Sequence, residues 1–210
     1  MRPRLARGAW VAALAALSFA TRLPALVAAS GTNSDAAIVG LQARHILRHE
    51  WSPFLWGSGY QTAADSAVAA LFFAALGPSP LVLMLSALTL HVLATCLVFA
   101  TLRRRFTPWL ALLLMMPMVV SPSSVHSYAL YPPRQTSLTL VLAAFWAIDG
   151  ARSDKASPRA RAAWLAAGGL LATCAVSADP YPMVLLPLVA LYAVLGGGWQ
   201  QRDAQPEARH

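Results

Sequence analysis

The sequence predicts an all-α protein, a polytopic transmembrane helical bundle of about six membrane segments with an amphipathic helical loop after the first. Three observations carry this reading. Of 210 residues, 58% are hydrophobic and 11% charged, which is not the balance of a soluble domain. Several apolar stretches approach or exceed the roughly 17–25 residues that cross a hydrocarbon core of about 30 Å. These Leu/Ala/Val runs do not alternate, which excludes a closed barrel built of alternating segments about ten residues long.

The first apolar stretch, 8–29, is interrupted only by Arg22. It follows Arg2, Arg4 and Arg7 and precedes small residues at Ala28–Ser30, so a removed signal competes with a retained helix. The stretch is long enough to span, and a retained first helix is favoured. Next comes "SDAAIVGLQARHIL", opening an amphipathic helix over 35–50. Val39, Ala43, Ile46 and Leu47 share one side, while Gln42, Arg44, Arg48 and His49 fall mostly elsewhere. Asn33 or Ser34 suits the cap, and Asp35 in the first turn suits the helix dipole. Such a helix would lie flat at an interface. "WSPFLWGSGY" follows, with Gly57 and Gly59 as turn residues, and then "SAVAALFFAALG" at 66–77, whose length does not decide whether it crosses.

The remaining segments are 80–102, 107–121, 135–149, 162–178 and 181–197. Charge orders them. With the N-terminus in the cytoplasm and 66–77 not crossing, twelve of the sixteen Lys/Arg lie inside, the exceptions being Arg22, Arg44, Arg48 and Arg134. If 66–77 crosses, the basic clusters 103–105 and 151–161 move outside and the asymmetry collapses. Trp10, Trp109, Trp146, Trp164 and Trp199 then mark cytoplasmic span ends, with Trp51 and Trp56 in an outer loop of about residues 30–79. The charge rule does not separate two crossings over 107–149 from a re-entrant hairpin. Residues 198–210 form a polar cytoplasmic tail.

A net charge of +8 raises nucleic acid as a partner, but the charges cluster between apolar spans and form no basic stripe interleaved with aromatics. Nucleic acid is excluded. Cys96 and Cys174 lie inside apolar runs and read as packing residues. His45 and His49 stand at metal-ligand spacing without a third ligand nearby, so no metal site is assigned. His91, within a span, reads as a packing residue, and Asp179 before "PYP" reads as a turn residue. A transporter finds no support, because no inverted repeat is visible and the spans hold few ionisable residues.

Three pieces in order, "SDAAIVGLQARHIL", "PFLWGSGYQTAADS" and "FFAALGPSP", resemble the GT-C superfamily of polytopic membrane glycosyltransferases. "LYPPRQTSLTLVLAAF" is similar to that family's Tyr-Pro-containing outer turn, and "SADPYPMVLLPLVAL" is a weaker match to a later one. The resemblance makes residues 1–197 one GT-C-like transmembrane domain, truncated relative to full-length members, which continue with further helices. Departures include Ala36 and Asp65 where the family carries Glu, and the lack of a Glu after the Tyr-Pro turn.

The resemblance implies transfer of a sugar from a polyprenyl-phosphate carrier to a glycan, lipid or protein acceptor on the outer face of a bacterial inner membrane. Membrane lipid is then a partner as well. Such chemistry needs a base for the acceptor hydroxyl and cations for the departing phosphate. By resemblance Asp35 is the catalytic base, against a bland role as helix cap. Asp65, Arg22, Arg134 and Tyr60 are the substrate-binding set, with Asp65 alternatively a helix-start residue and Arg22 alternatively snorkelling to headgroups. No cofactor is assigned, and a divalent cation at Asp65 is the one left open. The rival class is a non-catalytic membrane subunit that binds a polyprenyl lipid or a partner protein. The topology is testable: in a chain with Cys96 and Cys174 replaced by serine, Arg104→Cys resists a membrane-impermeant thiol reagent added outside. Labelling there would overturn the parity argument.

Overall fold

A computed structural model describes residues 2–28, 33–120, 130–152 and 156–195. The described residues are helical and connected by turns, with one isolated antiparallel bridge between Phe54 and Thr62 and no strand. In chain order the helices are α1 (Arg2–Ala20), α2 (Leu23–Ala28), α3 (Ser34–Ile46), α4 (Ala64–Leu76), α5 (Pro80–Leu102), α6 (Pro108–Val119), α7 (Gln135–Gly150) and α8 (Pro158–Ala178). A 3-10 turn over Tyr181–Leu185 leads into α9 (Leu186–Leu195).

Three helices start on the same local device. Ser79, Thr107 and Ser157 accept hydrogen bonds from the backbone N–H groups of Val82, Leu110 and Ala160, and a proline follows each cap. The hydroxyl satisfies one orphan donor, and the proline fixes the first helical φ where its missing N–H costs nothing. α3 opens on Asn33, whose side chain accepts from Ala36 N at 2.8 Å. Val39 and Ala43 are wholly buried, as their spacing predicts. Gln42 is wholly buried too, against expectation, and Leu47 is 41% exposed. α3 ends at Ile46, and His49 takes a left-handed φ of 66°.

Membrane-crossing capacity is narrower than the sequence suggests. α5 and α8 are long and apolar enough to cross a membrane. The apolar parts of α1 (Gly8–Ala20), α4, α6 and the last segment (Tyr181–Val194) are shorter. At 1.5 Å per residue, the twelve residues of α6 reach only about 18 Å. The first segment is not one continuous helix over 8–29: it breaks at Thr21–Arg22. Arg22 causes a specific tie there. Its guanidinium donates to the carbonyls of Val119 at 2.9 Å and Met118 at 2.7 Å, the last turn of α6, and to Ser18 O at 3.0 Å. Those are carbonyls with no partner inside their own helix.

Apolar packing joins the helices in pairs. Leu14 of α1 sits with Phe99 of α5 and Ala111, Met115 and Val119 of α6. Val39 and Ala43 of α3 pack on Ala69, Ala70 and Phe73 of α4. α7 and α8 approach closely, and a Cβ on Gly168 would fall 2.6 Å from Ile148 Cγ1. The tryptophans report helix direction. Trp10 and Trp109 meet edge to face at 5.0 Å, as do Trp146 and Trp164 at 5.2 Å. Arg104 lies over the Trp146 ring, so the start of α1, the end of α5, the start of α6, the end of α7 and the start of α8 share one end of the bundle. That grouping is the one the charge pattern predicts; Trp199 and residues 198–210 lie outside the described residues.

Gly168→Leu should lower the unfolding temperature in detergent, since overpacking a close interface costs about 1–3 kcal/mol. Adding Ile148→Ala should restore much of the loss. An additive double variant would mean that Gly168 is not needed for this contact.

Candidate functional site

The site lies where the 51–65 loop, the start of α7 and the end of α8 meet. The loop closes on itself first. Leu55 N donates to Gln61 O at 2.9 Å and Ala63 N to Pro53 O at 3.0 Å, while Gly57 supplies a φ of 76° that other residues adopt at a cost. Buried Gln42 holds the loop onto α3: its amide donates to Phe54 O at 2.8 Å and its carbonyl accepts from Ser66 Oγ at 3.0 Å. Thr62 N reaches Ala178 O at 3.2 Å and ties the loop to the end of α8.

Asp65, in the first turn of α4, points out of that loop toward α7. Its Oδ2 accepts from Arg134 N at 2.8 Å, and its Oδ1 accepts from Thr136 N at 3.0 Å and Thr136 Oγ1 at 2.8 Å. α7 has no cap of its own, because Arg134 at its N-cap position has φ 87° and offers no side-chain bond. Asp65 therefore caps α7 from another helix, at the positive end of its dipole. Burial pushes the Asp65 carboxyl above the usual carboxylate range, and the nearby Asp179 charge adds to this. The three hydrogen bonds from Arg134 and Thr136 act in the opposite direction.

Asp179 completes the cluster. It is 2% exposed, ends α8, and accepts from Tyr181 N at 2.8 Å. Its other oxygen accepts from Gln61 Nε2 and, at 3.2 Å, from Arg134 Nε. The Arg134 side chain remains 54% exposed, its guanidinium 5.6 Å from the centre of the Tyr181 ring. Its Nη atoms carry no hydrogen bond to a described residue, so the outward edge of the guanidinium faces solvent.

The structure thus brings together two of the five residues predicted from sequence, Asp65 and Arg134. It does not bring in the others. Asp35 is exposed at the head of α3, and among the described residues its hydrogen bond is from Ser34 Oγ at 3.5 Å. Tyr60 is 62% exposed at the tip of the loop. Arg22 is 1% exposed and spends its guanidinium on helix carbonyls rather than facing a ligand. His45 pairs with Glu50 and stands edge to face with Trp56 at 4.8 Å. Cys96 and Cys174 are free thiols.

The chain matches no family model, no curated protein and no solved structure. Function must therefore be argued from these residues.

Gln61, Thr136 and Asp179 were not singled out from sequence as site residues. Only Asp179 carried a signal, as a carboxylate beside a Pro-Tyr-Pro turn, and that equally describes a turn residue. An apolar cleft of about 210 Å³ lies between α3, the end of α4 and the start of α5, lined by Ala37, Gly40, Phe73 and Leu83 with Arg44 at its edge, and none of Gln61, Asp65, Arg134 and Asp179 lines it. Both oxygens of Asp65 are taken by hydrogen bonds, and among the described residues no three His, Cys, Asp or Glu side chains are placed to hold a metal ion.

Asp65→Ala removes the acceptor for three donors, and should cost at least about 3 kcal/mol given about 1–3 kcal/mol for each buried group left unpaired. Asp65→Asn keeps the acceptor toward Thr136 but turns an N–H₂ on Arg134 N, and should fall between. Thermal unfolding in detergent measures both, and equal stability of Asp65→Ala and wild type would remove the capping role.

Proposed function

We propose that the chain is a membrane glycosyltransferase, or the N-terminal part of one, that transfers a sugar from a polyprenyl-phosphate carrier to an acceptor on the outer face of a bacterial inner membrane. In this reading the chain passes the membrane several times with its N-terminus inside. The Asp65–Arg134 end of the bundle then faces outward and the tryptophan-rich basic end inward. The observation that carries the proposal is the convergence of Gln61, Asp65, Arg134 and Asp179 from three distant segments on one exposed arginine.

The arrangement fits recognition of a phosphate with little reorganisation. Arg134 is held at its backbone by Asp65 and at Nε by Asp179, which points the free edge of the guanidinium outward. Asp179 also keeps its bonds from Gln61 and Tyr181 N, so it stays satisfied if Arg134 turns toward a ligand. Asp65 acts as a positioning residue: its carboxylate is committed to α7.

In the reaction, the resemblance gives the proton of the acceptor hydroxyl to Asp35, which stands exposed at the head of α3 apart from the Arg134 cluster, so the acceptor has to bridge from α3 to the carrier held at Arg134. The acceptor oxygen bonds to the anomeric carbon, and the bond from that carbon to the phosphate oxygen breaks. The electron pair leaves with the polyprenyl phosphate, whose charge Arg134 offsets.

The rival reading is a membrane subunit that binds the carrier lipid without catalysis. It draws on the same arginine and on the absence of a second carboxylate bonded to Asp35 among the described residues. Membranes holding the chain, supplied with radiolabelled polyprenyl-phosphate hexoses and pentoses, distinguish them. Asp35→Asn should abolish transfer to endogenous acceptor while leaving carrier-lipid retention unchanged, and Arg134→Gln should weaken retention about tenfold, the effect of one charge-assisted contact of 1.5 kcal/mol. Wild-type transfer rates with Asp35→Asn would sink the assignment of the base.

A further inference from the structure

At the opposite end of the bundle, three consecutive arginines close α5. Arg104 Nη1 donates to Asp149 Oδ2 at 2.9 Å and to Trp146 O at 2.9 Å. Arg105 Nη2 donates to Asp149 Oδ1 at 2.8 Å and to Tyr192 OH at 2.6 Å. Arg103 donates to Phe106 O at 2.7 Å and has no carboxylate partner among the described residues. One buried carboxylate, Asp149, pairs with Arg104 and Arg105, while Arg103 has none and Arg152 stands 4.0 Å over the Tyr192 ring, so among the described residues the group keeps a surplus of positive charge.

Beside this group lies a cavity of about 410 Å³, lined by Val11 of α1, Phe99 and Ala100 of α5, Trp146 of α7, and Arg103 and Arg104. Its chemistry is divided. Val11, Phe99 and Ala100 give an apolar wall that runs back along α5, which among the described residues is one of two helices long and apolar enough to cross a membrane. Arg103 and Arg104 stand where that helix ends, and Arg104 is packed 5.2 Å over the Trp146 ring. Stacking and the Asp149 pair hold the Arg104 guanidinium in place, so its remaining donors are pre-aimed. Arginines at the end of an apolar helix, with an indole between them and the hydrocarbon level, are placed at headgroup depth.

We infer that this cavity is a binding site for an anionic phospholipid, with the phosphate held by Arg103 and Arg104 and the start of an acyl chain laid against Val11, Phe99 and Ala100. A neutral apolar molecule would leave the surplus charge unmet. A free anion would leave the apolar wall exposed to water. A lipid phosphodiester with an attached chain satisfies both parts of the cavity, and basic pockets between membrane helices are the general form of such sites. The inference rests on the membrane reading of α5 but not on glycosyl transfer, and it concerns the end of the bundle away from Arg134.

The test uses the purified full chain in detergent, with native mass spectrometry and microscale binding to phosphatidylglycerol, to phosphatidylcholine and to inorganic phosphate. Saturable binding of phosphatidylglycerol is expected, at least tenfold tighter than phosphatidylcholine. Arg103→Gln should weaken it about fivefold, the effect of one basic group at a lipid surface. Arg103 has no ion pair to lose, so this variant should fold. Ala100→Trp, which fills the cavity while keeping every charge, should abolish the saturable component. Equal binding of the two lipids, or an unchanged affinity in Ala100→Trp, would overturn the site. Inorganic phosphate displacing the lipid at matching affinity would overturn it as a lipid site and leave an anion site. Loss of sugar transfer with lipid binding intact would touch only the glycosyltransferase reading.

Discussion

The fold turns on how α7 is held at its two ends. A helix leaves four N–H groups unpaired at its start and four carbonyls at its finish. α7 begins on an arginine in a left-handed conformation that provides no cap. Asp65 supplies it from α4, accepting from Arg134 N and Thr136 N. That carboxylate fixes the backbone at the start of α7, and Asp179 holds the Arg134 side chain. The far end of α7 carries Asp149, a charge that its own helix dipole disfavours. Arg104 and Arg105 offset it, and in doing so they fasten α5 to α7. Two aspartates, one at each end of the same helix, thus join α4, α5 and α7.

This placement explains why buried charge is tolerated in so apolar a chain. An unpaired carboxylate in the interior would be protonated or expelled, because desolvation outweighs anything a single neighbour returns. Asp65 accepts three hydrogen bonds, Asp149 faces two arginines and a tyrosine hydroxyl, and Asp179 meets an amide, a guanidinium and a backbone N–H. The same logic applies to buried Arg22, whose donors go to the orphan carbonyls of α6. Each buried charge is also a tie between segments far apart in sequence. The apolar faces are nearly interchangeable Leu, Ala and Val, so these polar ties restrict which helix meets which.

Local signals were legible in the sequence and long-range ones were not. The Ser-Pro and Thr-Pro starts of α5, α6 and α8, the Asn33 cap and the Val39/Ala43 face of α3 depend on residues within four positions of each other. The grouping of Trp10, Trp109, Trp146 and Trp164 was legible because amphipathic rings and basic loops both report span ends. Gln42 misled, because its burial depends on Ser66 and Phe54, neither on its own helix. The 8–29 stretch reads as one span because hydropathy passes over a lone arginine, whereas α1 ends at Ala20, four residues before Pro24, and Arg22 ties that break to Val119, 97 residues ahead. Asp65 was visible as an acidic residue at a helix start, but its partners stand 69 and 71 residues away. The partners of Arg22 and of Asp65 follow from tertiary contacts that periodicity does not encode.

The two ends of the bundle treat anions differently, and the difference bears on how the proposed chemistry could work. At the Asp65 end, two carboxylates surround one arginine, and that arginine already shares its Nε with Asp179. A phosphate approaching there gains the guanidinium but also meets the field of Asp65 and Asp179, so binding would be modest and release easy. A transferase needs that balance, because its carrier phosphate must leave after the sugar does. At the other end the ratio is reversed, with Arg103, Arg104, Arg105 and Arg152 around one described carboxylate, which favours holding an anion. If the proposed glycosyl transfer and lipid site both hold, the two ends divide the work: release of a phosphate at the Asp65 end and attachment to an anionic surface at the Asp149 end.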